Sequence, residues 1–336
     1  MKFIHLADSH LASFFSYEES ISNLIREKTW DSFENIFKLN RDVDFALIAG
    51  DLFERNYFTS ADFSRLYKIF AEFSKDIYYV TGNHDYFDAY NTIFLNNKPN
   101  NLHIFTDDKL SMYEKGSVRI YGLSYKDRIN NYVFPDEINL DDKYFNILIA
   151  HANVYPNPSN YLDLNPQLLE NIGFSYVGLG HIHKPGHLNN SYYPGSIEPF
   201  DFSDIGDRGY ILYDNGKILR VDSSLLRFYD FTINESEFSN ENEIVNWITN
   251  KLDNKINFVR IKLNFDNKLD IDYIKENIPA NYIEVSMIQN PIKENVFNLY
   301  PNSLLTKYRD KLLDTDDEIK KRALELGIDA ILRTKR

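Results

Sequence analysis

The stretch "IYYVTGNHDYF", Ile77 to Phe87, decides how the chain is read. An apolar, aromatic-rich run stops at Gly82 and at once presents Asn83, His84 and Asp85. A buried strand that ends in a turn carrying three polar side chains is where an α/β fold hands groups to a ligand. Four more short apolar runs have the same composition: "KFIHLAD" (Lys2 to Asp8), "DFALIAGD" (Asp44 to Asp51), "FNILIAH" (Phe145 to His151) and "FSYVGLGH" (Phe174 to His181). Such runs read as strands buried on both faces. Between the first three strands lie stretches with helical spacing, such as "FSRLYKIFAEF" with Phe63, Leu66, Tyr67, Phe70 and Phe73 on one side. This alternation predicts a layered α/β domain, β-sheets flanked by helices.

The second half changes character. "RGYILYDNGKILRVD" is two strands around Asn215-Gly216, a hairpin signal because both turn positions tolerate positive φ. From about Leu225 the order is strand, helix, strand, helix, strand, which predicts a small α/β cap over 225–296 after a main domain over 1–224. The tail, 297–336, offers two amphipathic helices, one with Leu304, Leu305, Tyr308 and Leu312, the other with Ile319, Ala323 and Leu326 and with Gly327 as its C-cap.

The 336 residues have the composition of an ordinary soluble globular protein. A formal net charge of -13 opposes whole-molecule attraction to nucleic acid or an anionic membrane, although carboxylates that hold metal ions are part of that count. The chain has no cysteine, which excludes disulfides and thiolate metal sites. The opening "MKFIHLADSH" reaches charge within a few residues and has no long apolar stretch, so the cytoplasm is expected, with no membrane association.

Each of the five strands ends in residues that can bind a metal: Asp8 and His10, then Asp51, then Asn83, His84 and Asp85, then His151, then His181 and His183. Five of the eight histidines fall in this set. In open α/β sheets the carboxyl ends of strands line the binding crevice, so five segments would converge there. Imidazole and carboxylate without thiolate suit manganese, iron or zinc, and a carboxylate can bridge two divalent ions that orient a phosphate and activate a water. Taken singly, each piece has a plainer explanation. D-x-H recurs by chance, Gly-Asp is common turn chemistry, and a lone His151 is more often a satisfied histidine than a ligand. Five such pieces in this order, each at a strand end, are not explained that way.

Together "DSH", "GDLFE", "GNHD", the histidine of "LIAHAN" and "GHIH" resemble the five-part signature of the calcineurin-like metallophosphoesterases over roughly Met1 to Lys184. "DSHL", "GHIHKP" and "YYPGSIEPFDF" (Tyr192 to Phe202) further resemble the DNA-repair nuclease branch of the SbcD type, in which a small cap completes the DNA-facing surface. The resemblance implies that Asp8, His10, Asp51 and His183 hold one ion. Asp51, Asn83, His151 and His181 would hold the other, with Asp51 bridging and manganese the expected metal. It makes His84 the imidazole that faces the scissile phosphate and Asp85 the group that orients it, while Gly82 allows the backbone bend. It also implies DNA as substrate, an SMC-like ATPase of the SbcC type as partner, and a homodimer.

The chain departs from the branch at Ala12, where glycine is usual, and at Glu54, where histidine or aspartate is common. A histidine at the latter place helps some members position DNA, so Glu54 bears on the balance of exonuclease and endonuclease activity. His5, inside the first strand, reads as a core or supporting histidine, and His103 and His187 as surface residues. Lys126, Arg128, Lys184 and Arg208 lie in loops near the expected site and are candidate phosphate contacts, although solvated surface cations are the commoner case. Two other functions compete with a DNA nuclease: a phosphodiesterase for a nucleotide or other small diester, and a DNA-end or ATPase-binding subunit with vestigial catalysis.

Overall fold

A computed structural model of the chain describes residues 1–87, 95–107, 109–129, 132–156, 161–265, 269–287, 303–312 and 326–327. Two six-stranded sheets form the main body. In the first, β1 (Lys2–Leu6), β2 (Phe45–Ala49), β3 (Asp76–Val80) and β4 (Leu102–Ile104) run parallel in that order. On the other side of β1 lies the antiparallel hairpin of β11 (Gly209–Asp214) and β12 (Lys217–Asp222). Its turn has Asn215 at φ 49° and Gly216 at φ 90°, the two left-handed positions that an Asn-Gly turn supplies.

The second sheet has parallel β6 (Val118–Leu123), β7 (Phe145–His151) and β8 (Tyr176–Gly180) at its centre. It is completed by β5 (Ser111–Lys115) on one side and by β10 (Ser191–Tyr193) and β9 (Gly186–Leu188) on the other.

Period-two alternation explains how the sheets stack. Along β1, Phe3 packs with Phe45, Ile147, Ile149 and Tyr176 between the two sheets, while Ile4 and Leu6 pack with Trp30, Phe33, Leu66 and Phe70. Those last residues belong to helices α1 (Glu19–Leu39) and α2 (Ser60–Phe73), which cover the outer face of the first sheet. Helix α3 (Pro166–Ile172) buries Leu169 with Leu148, Val177 and Leu179 on the outer face of the second sheet. Because the central strands are apolar on both faces, the order is helix, sheet, sheet, helix, the layered α/β architecture expected from the alternation.

His5 lies in the layer between the sheets, fully buried, with Nδ1 3.0 Å from the Tyr176 hydroxyl. Burial pulls its imidazole down to about 3. The folded pKa is below the unfolded one, so the neutral ring stabilises the fold above about 6.5, and that contribution is lost as pH falls from there toward 3. Between about pH 7 and about pH 5 this one group is expected to cost roughly 2 kcal/mol. Urea unfolding at the two pH values checks it: His5→Phe should lose that share of the pH dependence, and an unchanged dependence would refute the assignment.

The chain divides into two compact units. The first comprises Met1–Asp230, Lys251–Arg260 and Ala280–Ile283; the second comprises Phe231–Asn250, Ile261–Pro279 and the described residues from Glu284 onward. A three-stranded sheet in the order β13 (Leu226–Asn234), β14 (Ile256–Asn264), β15 (Tyr282–Met287) contributes residues to both. Within the first unit Leu226, Phe228 and Phe258 are buried with Phe15, Ile25 and Phe202, so the chain leaves that unit at Asp230, inside β13. Within the second, helix α4 (Glu241–Thr249) buries Ile244, Val245 and Ile248, and α5 (Ile271–Asn277) buries Ile274.

The tail contains helix α6 (Leu304–Leu312), on which Leu304 is exposed. The side chains of Leu305 and Leu312, and the second tail helix expected around Ile319 and Ala323, lie outside the described residues. Among the described residues no helix is long and apolar enough to cross a membrane.

Candidate metal and active site

The turns after β1 and β2 zip together beyond the strands. Asp8 N donates to Gly50 O (3.1 Å), His10 N to Asp51 O (3.0 Å), Leu11 N to Leu52 O (3.0 Å) and Glu54 N to Leu11 O (2.9 Å). The fit requires unusual backbone: Asp8, His10, Ala12, Asp51 and His181 have φ of 50°, 42°, 65°, 49° and 95°. Left-handed non-glycine residues cost of order 1–3 kcal/mol each and persist where the surroundings over-determine them, typically at functional sites. The φ of Ala12 also explains the glycine usual at that position in the resembled branch.

These turns meet the ends of β3, β7 and β8. His183 Nε2 is 3.2 Å from His10 Nε2, and His10 Nε2 is 3.7 Å from Asp51 Oδ2. Asp51 Oδ2 is 3.1 Å from His151 Nε2, which is 3.1 Å from Asn83 Oδ1. Asp8 Oδ1 lies 3.9 Å from His151 Nδ1 and accepts from His181 N at 2.9 Å. The His181 ring packs against His151, centroids 5.2 Å apart. Thus Asp8, His10, Asp51, Asn83, His84, His151, His181 and His183 are all drawn into one cluster.

Three groups within it have ligand atoms inside 4.8 Å of one another: Asp8, His10 and His183; His10, Asp51 and His84; and Asp8, Asp51 and His151. Asp51 belongs to two of them, as do Asp8 and His10, and lies between His10 on one side and His151 on the other. His181 falls outside these groups of carboxylates and imidazoles, Asn83 adjoins the third through its Oδ1 beside His151 Nε2, and His84, which the resemblance leaves free of metal, falls inside one.

The donor set fits divalent cations. Asp8 and Asp51 are buried carboxylates set among imidazoles, and the Nε2 atoms of His10 and His183 face one another. The charge balance agrees. Against burial, the charge of Asp51 lifts His151 to about 9, and His151, with His10 and His84, holds Asp51 well below the usual carboxylate range. Burial, and after it the neighbouring His151, lowers His181 to about 4. Positive charge is what the carboxylates demand, and a cation supplies it.

Gly82 is required by space. A Cβ there would stand 2.3 Å from Asp51 Oδ1 and 2.8 Å from the His151 ring, and its φ lies outside the left-handed region. The expectation that it permits a bend is therefore replaced by one of close approach.

The role expected of Asp85 also changes. Its carboxylate is buried and accepts from the backbone N–H groups of Leu52 and Gly82 and from the Tyr79 hydroxyl, so it anchors the turn instead of orienting the His84 ring. The partner of His84 is Glu54, 2.8 and 2.9 Å from Nδ1 through its two oxygens. Against the upward pull of burial, hydrogen bonds from His10 and His84 bring Glu54 down to about 2. The same pairing, with the charge of Asp51, raises His84 against burial. His84 and His183, with side chains 36% exposed, form the open rim of the cluster; His181 is partly buried, and Asp8, His10, Asp51, Asn83 and His151 are buried.

The "YYPGSIEPFDF" stretch braces the rim. The Tyr193 hydroxyl donates to Ala152 O (2.8 Å) and accepts from Val154 N (3.0 Å), and Ser196 N donates to His183 O (3.1 Å). The Phe200 ring stands against His10 and His183, with centroids at 5.2 and 5.5 Å. Asp204 Oδ2 lies 3.8 Å from His183 Nδ1, and the buried Arg208 donates to Asp204 Oδ1 at 3.2 Å. Arg208 is therefore part of the support of His183 and not a surface contact for phosphate. Sequence reasoning missed Asp204, for which no local signal exists; for Glu54 the signal was its place three residues after Asp51, read as a departure and not as a partner.

A helix–sheet–sheet–helix core with aspartates and histidines gathered at the strand ends is the architecture of the metal-dependent phosphoesterases. The chain belongs to the calcineurin-like phosphoesterase family, whose model matches residues 1–185. It is 30% identical over 238 residues to the uncharacterized metallophosphoesterase YhaO of Bacillus subtilis (strain 168), covering 63% of this chain and 57% of the relative. To the SbcD subunit of the nuclease SbcCD from Staphylococcus epidermidis it is 25% identical over 252 residues, covering 64% of this chain and 66% of the relative. In both cases the aligned part is under two thirds of the relative's length.

Proposed function

We propose that this chain is a metal-dependent phosphodiesterase that cuts DNA, a nuclease subunit of the SbcD kind that works in the cytoplasm in DNA repair. Its metal ligands are Asp8, His10, Asp51, Asn83, His151, His181 and His183. The observation that carries the reading is the cluster of buried carboxylates and imidazoles with His84, 36% exposed, held at its rim by the Glu54 carboxylate. What favours DNA over other phosphodiesters is the likeness to the SbcD subunit. The region after the main domain, 225–296, is proposed as a cap, with 297–336 as a helical tail. A homodimer and an SbcC-type ATPase partner belong to the same proposal.

Two divalent ions, manganese foremost and iron or zinc as alternatives, would neutralise phosphate charge and lower the pKa of a water toward neutrality when bound. The chain's own residues do the rest. Nδ1–H of His84 donates to Glu54, which leaves Nε2 to take up a proton; the imidazolium so formed stabilises the phosphate charge or gives its Nε2 proton to the leaving oxygen. Asp85 holds the turn that presents Asn83 and His84. Phe200 walls one side of the cluster against water.

The net charge of -13 favours a second reading, a phosphodiesterase for a nucleotide or other small diester. Purified protein with manganese, a hairpin-ended DNA duplex and bis-p-nitrophenyl phosphate separates the two. The nuclease reading expects manganese-dependent cutting of the DNA that His84→Ala loses. Turnover of the small diester with the DNA left intact would transfer the assignment to the second reading, and inertness toward both would refute phosphodiesterase activity.

A further inference from the structure

The charged side chain of Glu54 touches both His10, inside the cluster, and His84, on its rim. Its Oε1 is 2.7 Å from His10 Nδ1, and its oxygens are 2.8 and 2.9 Å from His84 Nδ1. The two rings stand at 82° to each other with centroids 4.8 Å apart. The carboxylate is 19% exposed, and its backbone is tied to the same two loops: Glu54 N donates to Leu11 O, next to His10, and Arg55 N donates to His84 O. The direction of the Glu54 side chain is thus set by the segments whose histidines it contacts.

We propose that Glu54 is a positioning residue that holds His10 and His84 together in the Nδ1–H tautomer, so that one carboxylate aims Nε2 of His10 into the ligand cluster and Nε2 of His84 at the open side. An ionised carboxylate only accepts hydrogen bonds, so each neutral ring that pairs with it must carry its proton on Nδ1. The remaining nitrogen then has a free lone pair. For His10 that atom is the Nε2 facing His183 Nε2 and Asp51; for His84 it is the atom that takes up a proton when the ring becomes the imidazolium that acts on substrate. In this chain position 54 therefore turns inward to the histidines and does not reach out to substrate. The catalytic consequence rests on the function proposed above, whereas the tautomers do not.

The test uses the full chain, freed of metal and labelled with 15N-histidine, at alkaline pH where the rings are neutral. Two-bond nitrogen–proton couplings report which ring nitrogen carries the proton. In the wild type, the rings of His10 and His84, assigned by His10→Gln and His84→Gln, are expected to be Nδ1–H. Glu54→Ala should release both toward Nε2–H, whereas Glu54→Gln can keep both through one oxygen, as Oε1 meets both rings here. Wild-type rings protonated on Nε2, or tautomers unmoved in Glu54→Ala, would overturn the proposal.

A second readout concerns turnover. Loss of an outer partner of a metal-binding histidine is expected to weaken manganese binding about 10–100-fold and to lower kcat by a similar factor. KM should change little, and Glu54→Asp should restore part of the loss. A purely structural role would instead leave the tautomers unchanged while lowering the melting temperature. If the wild type hydrolyses no phosphodiester at all, the function proposed above fails, while the tautomer result still decides the role of Glu54.

Discussion

Asparagine in place of Asp51 is expected to strip the site of one or both metal ions and to lower phosphodiester turnover by about 10³-fold or more, since a metal contributes several kcal/mol to the transition state. The substitution keeps the shape of the side chain and changes its charge. In the native site Oδ1 accepts from His84 N at 2.9 Å and Oδ2 lies 3.1 Å from His151 Nε2 and 3.7 Å from His10 Nε2. An amide can keep one of these acceptor contacts, but it turns an NH₂ toward the other. It also removes the charge that most strongly lifts His151. Metal content of purified protein, measured by mass spectrometry of the elements, checks the first part, and kcat with manganese the second. Two retained equivalents of metal with full turnover would refute the bridging role. The fold should survive, because Asp51 follows β2 and is not one of its core residues.

Removing the His84 ring should give a different signature. His84→Ala is expected to keep its metal and to lose about 10²–10⁴-fold in kcat, the range for a general acid. The ring is half outside the cluster, and its hydrogen-bonding partner is Glu54, so its loss leaves the contacts among Asp8, Asp51, His151 and Asn83 intact. The loss should shrink for a diester whose leaving group departs without protonation, such as p-nitrophenolate, compared with DNA, whose leaving alkoxide needs a proton. Equal losses on both substrates would point to charge stabilisation instead of proton donation, and release of metal from the variant would make His84 a ligand, as its grouping with His10 and Asp51 permits.

What the sequence by itself determined was everything that depends on near neighbours along the chain. Apolar runs with both alternating faces buried could only be central strands, the helical spacing of Phe63 to Phe73 could only face a core, and Asn215-Gly216 supplied the two left-handed residues of a hairpin. The residues that gather in the cluster were legible because each stands at the carboxyl end of such a strand. Tertiary structure decided which atoms those residues meet. Glu54, and not Asp85, holds His84; Asp85 is spent on Leu52, Gly82 and Tyr79; Arg208 lies buried behind Asp204. Gly82 answers to the volume of Asp51 and His151, residues brought to it by a neighbouring strand and by the other sheet. Hydrogen-bond partners and excluded volume are set by how layers pack across many residues of sequence, and a reading confined to local spacing contains no distance between them.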